Sequence, residues 1–282
     1  MKPENIADLI RIIECQIPRD VESALERCRE EEEEGSISRQ VLEAILENIR
    51  YARENGIPMC QDTGSLVFFV SANGMCSKIR NTIMEGIAMA TERVPLRANI
   101  VDPFSRRNTG NNLGRGNPII HFEPSPDGAV RAGILAKGAG SENVSAVTML
   151  DPDRPVEGVK EFVVQTVRKA GAKPCPPIVV GIGVGGSLDE AAILSKKALM
   201  RRLDKPSEDV FTGLLEAELL REINALGIGP MGFGGKNTAL GVRMEVADCH
   251  TASLPVAVSI QCWALRRISF EVMKDGAILR GD

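Results

Sequence analysis

Up to Pro58 the apolar residues keep a helical period and strands enter only after it, and that change of texture limits the fold more than any other feature. Before it the pattern is helical. Residues 5–15 place Ile6, Leu9, Ile10 and Ile13 at helical spacing. Asp20 stands where it can cap a second helix, which runs into the acidic stretch 30–34 and stops at Gly35. That acidic run reads as a solvated helix end. A third helix takes Ser38 as its N-cap, sets Leu42, Ile45, Leu46 and Ile49 on one face, and ends before Gly56. After Pro58 strands enter. Residues 65–72 read as a buried strand and 78–93 as a helix. Strands at 117–123 and 129–137 flank Ser125-Pro126-Asp127-Gly128, which predicts a β-hairpin. Helices are expected at 157–170, 189–203 and 207–226, and strands at 177–184, 239–246, 255–261 and 277–280. Regular βαβ alternation is missing. The expectation is an α+β fold, with N-terminal helices followed by mixed and antiparallel sheets flanked by helices. No repeat, linker or composition break divides the chain. It reads as one domain over 1–282, with 1–56 a helical segment and not a domain of its own.

Composition narrows the function. The 282 residues carry a net charge of −4, so the basic face of a nucleic-acid binder is not expected. No apolar run reaches the ~18 residues of a membrane span. The start, Met1-Lys2-Pro3-Glu4, lacks the apolar core of a signal peptide. A cytoplasmic protein is expected. Seven cysteines, an odd number at irregular spacing, then point to thiols, a metal site or a cluster and away from a disulfide framework.

Glycine marks three segments. Gly181, Gly183 and Gly186 match G-x-G-x-x-G between an expected strand and an expected helix. The rest of a dinucleotide unit is absent, because a second helix stands where the next parallel strand should be. A nucleotide-binding module is therefore a weak alternative beside a close-packing turn. The other segments are 227–238 and Lys137-Gly138-Ala139-Gly140-Ser141-Glu142-Asn143. Three such segments suggest loops converging on one small polar ligand, since glycine permits close backbone approach.

Cys60, Cys175 and Cys262 fit no zinc or ferredoxin spacing. Local setting separates two of them from the other cysteines. Cys60 and Cys175 lie among prolines and small residues in expected loops, whereas Cys15 and Cys28 fall in amphipathic helices and read as structural. Cys249 stands beside His250, as a possible competing ligand.

Four stretches together carry a resemblance. Met59-Cys60-Gln61-Asp62-Thr63-Gly64, Gly138-Ala139-Gly140-Ser141-Glu142-Asn143, Cys175-Pro176-Pro177, and Cys249-His250-Thr251-Ala252-Ser253-Leu254-Pro255 with Cys262-Trp263 resemble the iron–sulfur hydro-lyases, the class I fumarate hydratases and L-tartrate dehydratases. The match covers nearly the whole chain, and its length suits the α subunit of the two-subunit form. The resemblance implies a 4Fe-4S cluster on Cys60, Cys175 and Cys262, with one iron left open as a Lewis acid. It implies His250 and Asp62 as catalytic residues. Gln61, Arg97, Gly138, Gly140, Ser141 and His250 are then the expected substrate contacts, Arg97 as a carboxylate clamp. It further implies a β subunit, an α₂β₂ assembly, and a dicarboxylate substrate: fumarate, hydrated to L-malate, or alternatively tartrate, dehydrated to oxaloacetate. His121, in an expected strand, reads as structural.

Overall fold

The computed structural model describes residues 1–281, and the fold is α+β. The chain gathers into two compact units. One comprises Met1–Pro18, Asn48–Ala139 and the stretch from Arg266 on; the other comprises Arg19–Glu47 and Gly140–Leu265.

The first unit is built on a five-stranded sheet in the order β2-β1-β3-β8-β9. Its strands are β1 (Ser65–Ser71), β2 (Ile119–Glu123), β3 (Val130–Lys137), β8 (Arg266–Val272) and β9 (Ile278–Gly281). Helices α1 (Pro3–Cys15) and α4 (Cys76–Arg93) pack on it. The stripe Ile6, Leu9, Ile10 and Ile13 of α1 meets Ile79, Ile83, Ile87 and Ala90 of α4 in one core with Phe68, Val70 and Ile134 of the sheet. The helices approach closely at Gly86, where a Cβ would lie 2.5 Å from that of Ile6.

The expected hairpin does not form. β2 runs parallel to β1, and β3 pairs antiparallel with β1's other edge. The turn itself is present: the Asp127 carboxylate accepts the Ala129 N–H at 3.1 Å. Asn73, just past β1, bonds both the N–H and the carbonyl of Ser125. The apolar strand β1 thus takes the central place between the two strands that the turn connects. Sequence reading also missed β8, which carries arginines where an apolar run was sought.

The second unit holds a four-stranded sheet in the order β4-β7-β5-β6: β4 (Ala146–Leu150), β7 (Leu254–Gln261), β5 (Ile178–Gly186) and β6 (Ala239–Cys249). Alternate β5 residues Ile178, Val180 and Ile182 join one core with Val159, Val163 and Val167 of α6 (Pro155–Ala170) and Leu215, Leu219 and Ile223 of α8 (Val210–Asn224). Gly181 and Gly183 face α7 (Leu188–Ala198), where added Cβ atoms would stand 2.1 Å from the Ser195 carbonyl oxygen and 2.0 Å from that of Ala191. Both faces of β5 are covered, which is why its sequence reads as a continuous apolar run. The glycine motif therefore lies inside a strand and seats a helix. The space a pyrophosphate would need at Gly181 and Gly183 is filled by α7 backbone.

Three N-terminal details depart from expectation. Asp20 lies inside the first turn of α2 (Arg19–Glu31), buried, and its carboxylate accepts the Leu203 N–H at 2.7 Å. Glu32, in the acidic run, is buried as well. Its Oε1 accepts the N–H groups of Lys236 and Asn237 and the Asn237 amide at 2.8–3.1 Å. Ser36, and not Ser38, caps α3 (Ile37–Asn55) by accepting the Arg39 N–H, while Ser38 donates to the Gly234 carbonyl at 2.8 Å. In each case a polar side chain satisfies a loop remote in sequence, so the local pattern carries no sign of it.

Candidate active site

In the first unit the segment carrying Cys60 is held on every side. Its thiol is half-buried and Gln61 beside it is exposed. The Met59 N–H donates to the Glu14 carbonyl at 2.9 Å, and the Met59 carbonyl accepts the Asn48 amide at 2.9 Å. The Asp62 carboxylate bridges two loops: Oδ1 accepts the Gly64 N–H at 2.9 Å and the Asn99 amide at 3.4 Å, and Oδ2 accepts the Ala139 N–H at 2.7 Å. Gly138 lies against the same oxygen, at which a Cβ would stand 3.2 Å away. The Arg97 side chain is exposed, while its carbonyl accepts from Thr63 at 3.4 Å and Asn112 at 3.2 Å. The structure thus brings Asp62, Gly138 and the backbone of Arg97 around the Cys60 loop.

Beneath that loop lies a pair that sequence reading missed. Arg266 and Glu14, each 1% exposed, meet at 2.5 Å, and Arg266 also donates to the Asp62 carbonyl at 2.9 Å. Burial pushes the Glu14 carboxyl up to about 7, against the pull of Arg266. The ion-pair geometry favours the charged form, but desolvation is the larger effect. These partners are 252 positions apart, and neither belongs to a motif.

In the second unit Cys175 is exposed and adopts φ +55, a left-handed backbone that costs a non-glycine residue about 1 kcal/mol. Its carbonyl accepts the Trp263 N–H at 3.3 Å, which sets the Cys175 turn beside half-buried Cys262. The glycine segment supports this turn: the Met231 N–H donates to the Pro176 carbonyl at 2.8 Å, and Gly232 packs on Ala172. Gly140 lies against the Lys173 carbonyl. Buried Ser141 accepts from Ser145, whose hydroxyl accepts the Ile260 N–H at 3.0 Å. His250 is exposed in the turn after β6. Its Nδ1 accepts the Ala252 N–H at 3.1 Å, which selects the tautomer with the proton on Nε2. Cys249 Sγ, the possible competing ligand, contacts the Ser253 carbonyl at 3.1 Å.

All seven cysteines are thiols. Cys15 and Cys28 are buried in helices, and burial pushes both thiols up, Cys28 to about 12. They are poor thiolate donors, as expected of structural residues. Cys60, Cys175 and Cys262 sit in loops with their thiols half-buried or exposed, a soft donor set of the kind that holds iron–sulfur clusters. Cys60 belongs to the first unit, Cys175 and Cys262 to the second. Among the described residues no group of three or more His, Cys, Asp or Glu is gathered as a site for a single metal ion. His121 stacks on Phe69 with ring centroids 5.3 Å apart, a packing role.

Comparison of the sequence with known proteins places the chain in a family. A family model described as fumarate hydratase (fumerase) matches residues 3–271, and the chain belongs to that family of hydro-lyases. Over 280 residues it is 46% identical to the "Putative L(+)-tartrate dehydratase subunit alpha" of Methanocaldococcus jannaschii, covering 97% of this chain and 98% of that one. It is 32% identical over 276 residues to the L(+)-tartrate dehydratase subunit alpha of Escherichia coli, and equally to that of Shigella sonnei, covering 96% of this chain and 91% of each relative. No helix among the described residues is long and apolar enough to cross a membrane.

Proposed function

We propose that the chain is the cluster-binding α subunit of a hydro-lyase that reversibly adds water to fumarate, giving L-malate. The observation that carries the reading is the family match across 3–271, with Cys60, Cys175 and Cys262 in loops as a soft donor set. These three thiolates would hold a 4Fe-4S cluster, which would supply Lewis-acid chemistry toward substrate oxygen. The chain's own residues bind and orient. The exposed Arg97 guanidinium pairs with a substrate carboxylate through its planar fork. Gln61 donates its amide from beside the cluster. His250 presents Nε2–H to the hydroxyl that is added or removed, and its Ala252 bond holds the ring orientation. Asp62, two residues after Cys60 and fixed by the Gly64 and Ala139 N–H groups, takes part in proton transfer. Gly138, Gly140 and Ser141 offer backbone approach to the dicarboxylate. A β subunit completes the substrate site in an α₂β₂ assembly in the cytoplasm.

A second reading keeps the site and changes the substrate to L(+)-tartrate, dehydrated to oxaloacetate. The names of the relatives favour it.

Iron and acid-labile sulfide, measured per chain after anaerobic purification, test the cluster. About four of each are expected. Cys60→Ser, Cys175→Ser and Cys262→Ser each lower the content, while Cys15→Ser and Cys28→Ser leave it unchanged. Absence of both elements after anaerobic reconstitution overturns the proposal.

A further inference from the structure

We propose that Glu14 and Arg266 are positioning residues for Cys60, joined into a buried clamp that fixes the direction of its thiol. The inference rests on the cluster reading above and adds residues to it.

The contacts close a ring around Cys60. On its N-terminal side, the Met59 N–H is held by the Glu14 carbonyl at 2.9 Å. On its C-terminal side, the Asp62 carbonyl is held by Arg266 at 2.9 Å. The Glu14 carboxylate and the Arg266 guanidinium then lock to each other at 2.5 Å. Each half of the ring is anchored in regular structure. Glu14 lies in the last turn of α1, and Arg266 opens β8, where it pairs with Ala136 of β3. The loop between Met59 and Asp62 therefore cannot shift without breaking a helix–sheet link.

Stability alone does not account for the pair. Both side chains are almost fully buried, and Glu14 Oε1 has no hydrogen-bond partner. Desolvating two charges costs more than packing two apolar side chains of the same volume, so a buried pair with an orphaned oxygen is a poor source of stability. An apolar pair lacks one property that Arg266 has, a directed N–H aimed at the Asp62 carbonyl. Residues behind metal ligands set ligand orientation in this way.

The test uses two variants of the full chain. Arg266→Lys keeps the charge beside Glu14 and shortens the arm to Asp62. The double variant Glu14→Leu/Arg266→Met replaces the pair by apolar volume and protects against misfolding from a lone buried charge. Alkylation by iodoacetamide, followed residue by residue by peptide mass spectrometry on the iron-free chain, reads the presentation of each thiol. Loss of iron to a chelator reads the same feature in the holoenzyme. The clamp predicts that Cys60 reacts about tenfold faster in either variant, that iron leaves faster by a similar factor, and that Cys15, Cys175 and Cys262 keep their wild-type rates. A Cys60 rate within about twofold of wild type in a folded variant overturns the proposal. So does acceleration of Cys60 together with Cys15, which reports general loosening of α1. Failure of both variants to fold also overturns it, since the pair is then a core requirement. If wild-type protein takes up no iron, the cluster reading fails by itself, and the alkylation rates still decide the clamp.

Discussion

Glu14 carries an acid inside a helix–sheet core, and its protonation follows from that placement. Its ordinary value is 4.5, and burial raises it to about 7 in the folded chain. Between those pH values the native state keeps a proton that the unfolded state has released, so stability falls as pH rises through the window. Urea unfolding of wild type and Glu14→Gln at pH 4.5, 6 and 8 checks this. Wild type is expected to lose stability relative to the variant as pH rises; a pH-independent gap refutes it. His250 gives a second prediction at this scale. Because its Nδ1 accepts from Ala252, the proposed mechanism gives substrate Nε2–H, and His250→Gln is expected to lower the rate of the chemical step about hundredfold with iron content unchanged. Single-turnover rates on the loaded holoenzyme measure it, and an undiminished rate removes His250 from the mechanism. The motifs single out Cys60, Asp62 and His250 as candidates, because each lies in a short run with its neighbours. Glu14, Asn99 and Arg266 were not legible. Their roles arise from contacts between distant segments, and an isolated Glu or Arg looks like any surface charge.

Elements were legible where one face is apolar and unbroken, as in α1, α4 and β5, and least legible where tertiary contacts override local signals. The turn at 125–128 was read correctly and the pairing of its flanking strands was not, since no local rule reveals that β1 intervenes. Likewise the triple glycine of β5 matches a phosphate-binding pattern letter by letter, yet its glycines admit α7. That packing gives a prediction. Gly183→Ala would place a Cβ 2.0 Å from the Ala191 carbonyl oxygen and 2.6 Å from the Ser195 nitrogen, both backbone atoms of a helix that must move as a body. A loss of about 2–3 kcal/mol is expected from such overpacking. Gly128→Ala, at a turn with φ +77 and nothing within 4 Å, is expected to cost about 1 kcal/mol from backbone strain alone. Thermal or urea unfolding of the two variants ranks them, and equal losses would show that the helix yields easily.

At the scale of the molecule, the two units alternate along the chain, with the first returning at Asn48 and again at Arg266. Units assembled from interleaved segments leave no linker for composition to reveal, so the sequence shows no boundary. The assignment of function divides at the same scale. This chain offers three loop cysteines as proposed cluster ligands and several polar groups, and its relatives carry the name subunit alpha. Catalysis of water addition needs both carboxylates of the substrate oriented against the reacting carbon, and a loss of that orientation removes several kcal/mol of rate advantage. The iron-loaded chain alone is therefore expected to hydrate fumarate at about a hundredth or less of the rate it reaches with its β partner. Full activity without the partner would locate the entire site in this chain. With the partner present, kcat/KM for fumarate and for L(+)-tartrate decides between the two substrates. A site built to bind the additional hydroxyl of tartrate discriminates against a substrate without it by about 10⁴-fold or more, whereas an apolar pocket rejects an added hydroxyl only about 10²-fold. A steep preference for tartrate would thus point to a polar group that recognises the hydroxyl, and a shallow preference for fumarate to a pocket that excludes it by shape.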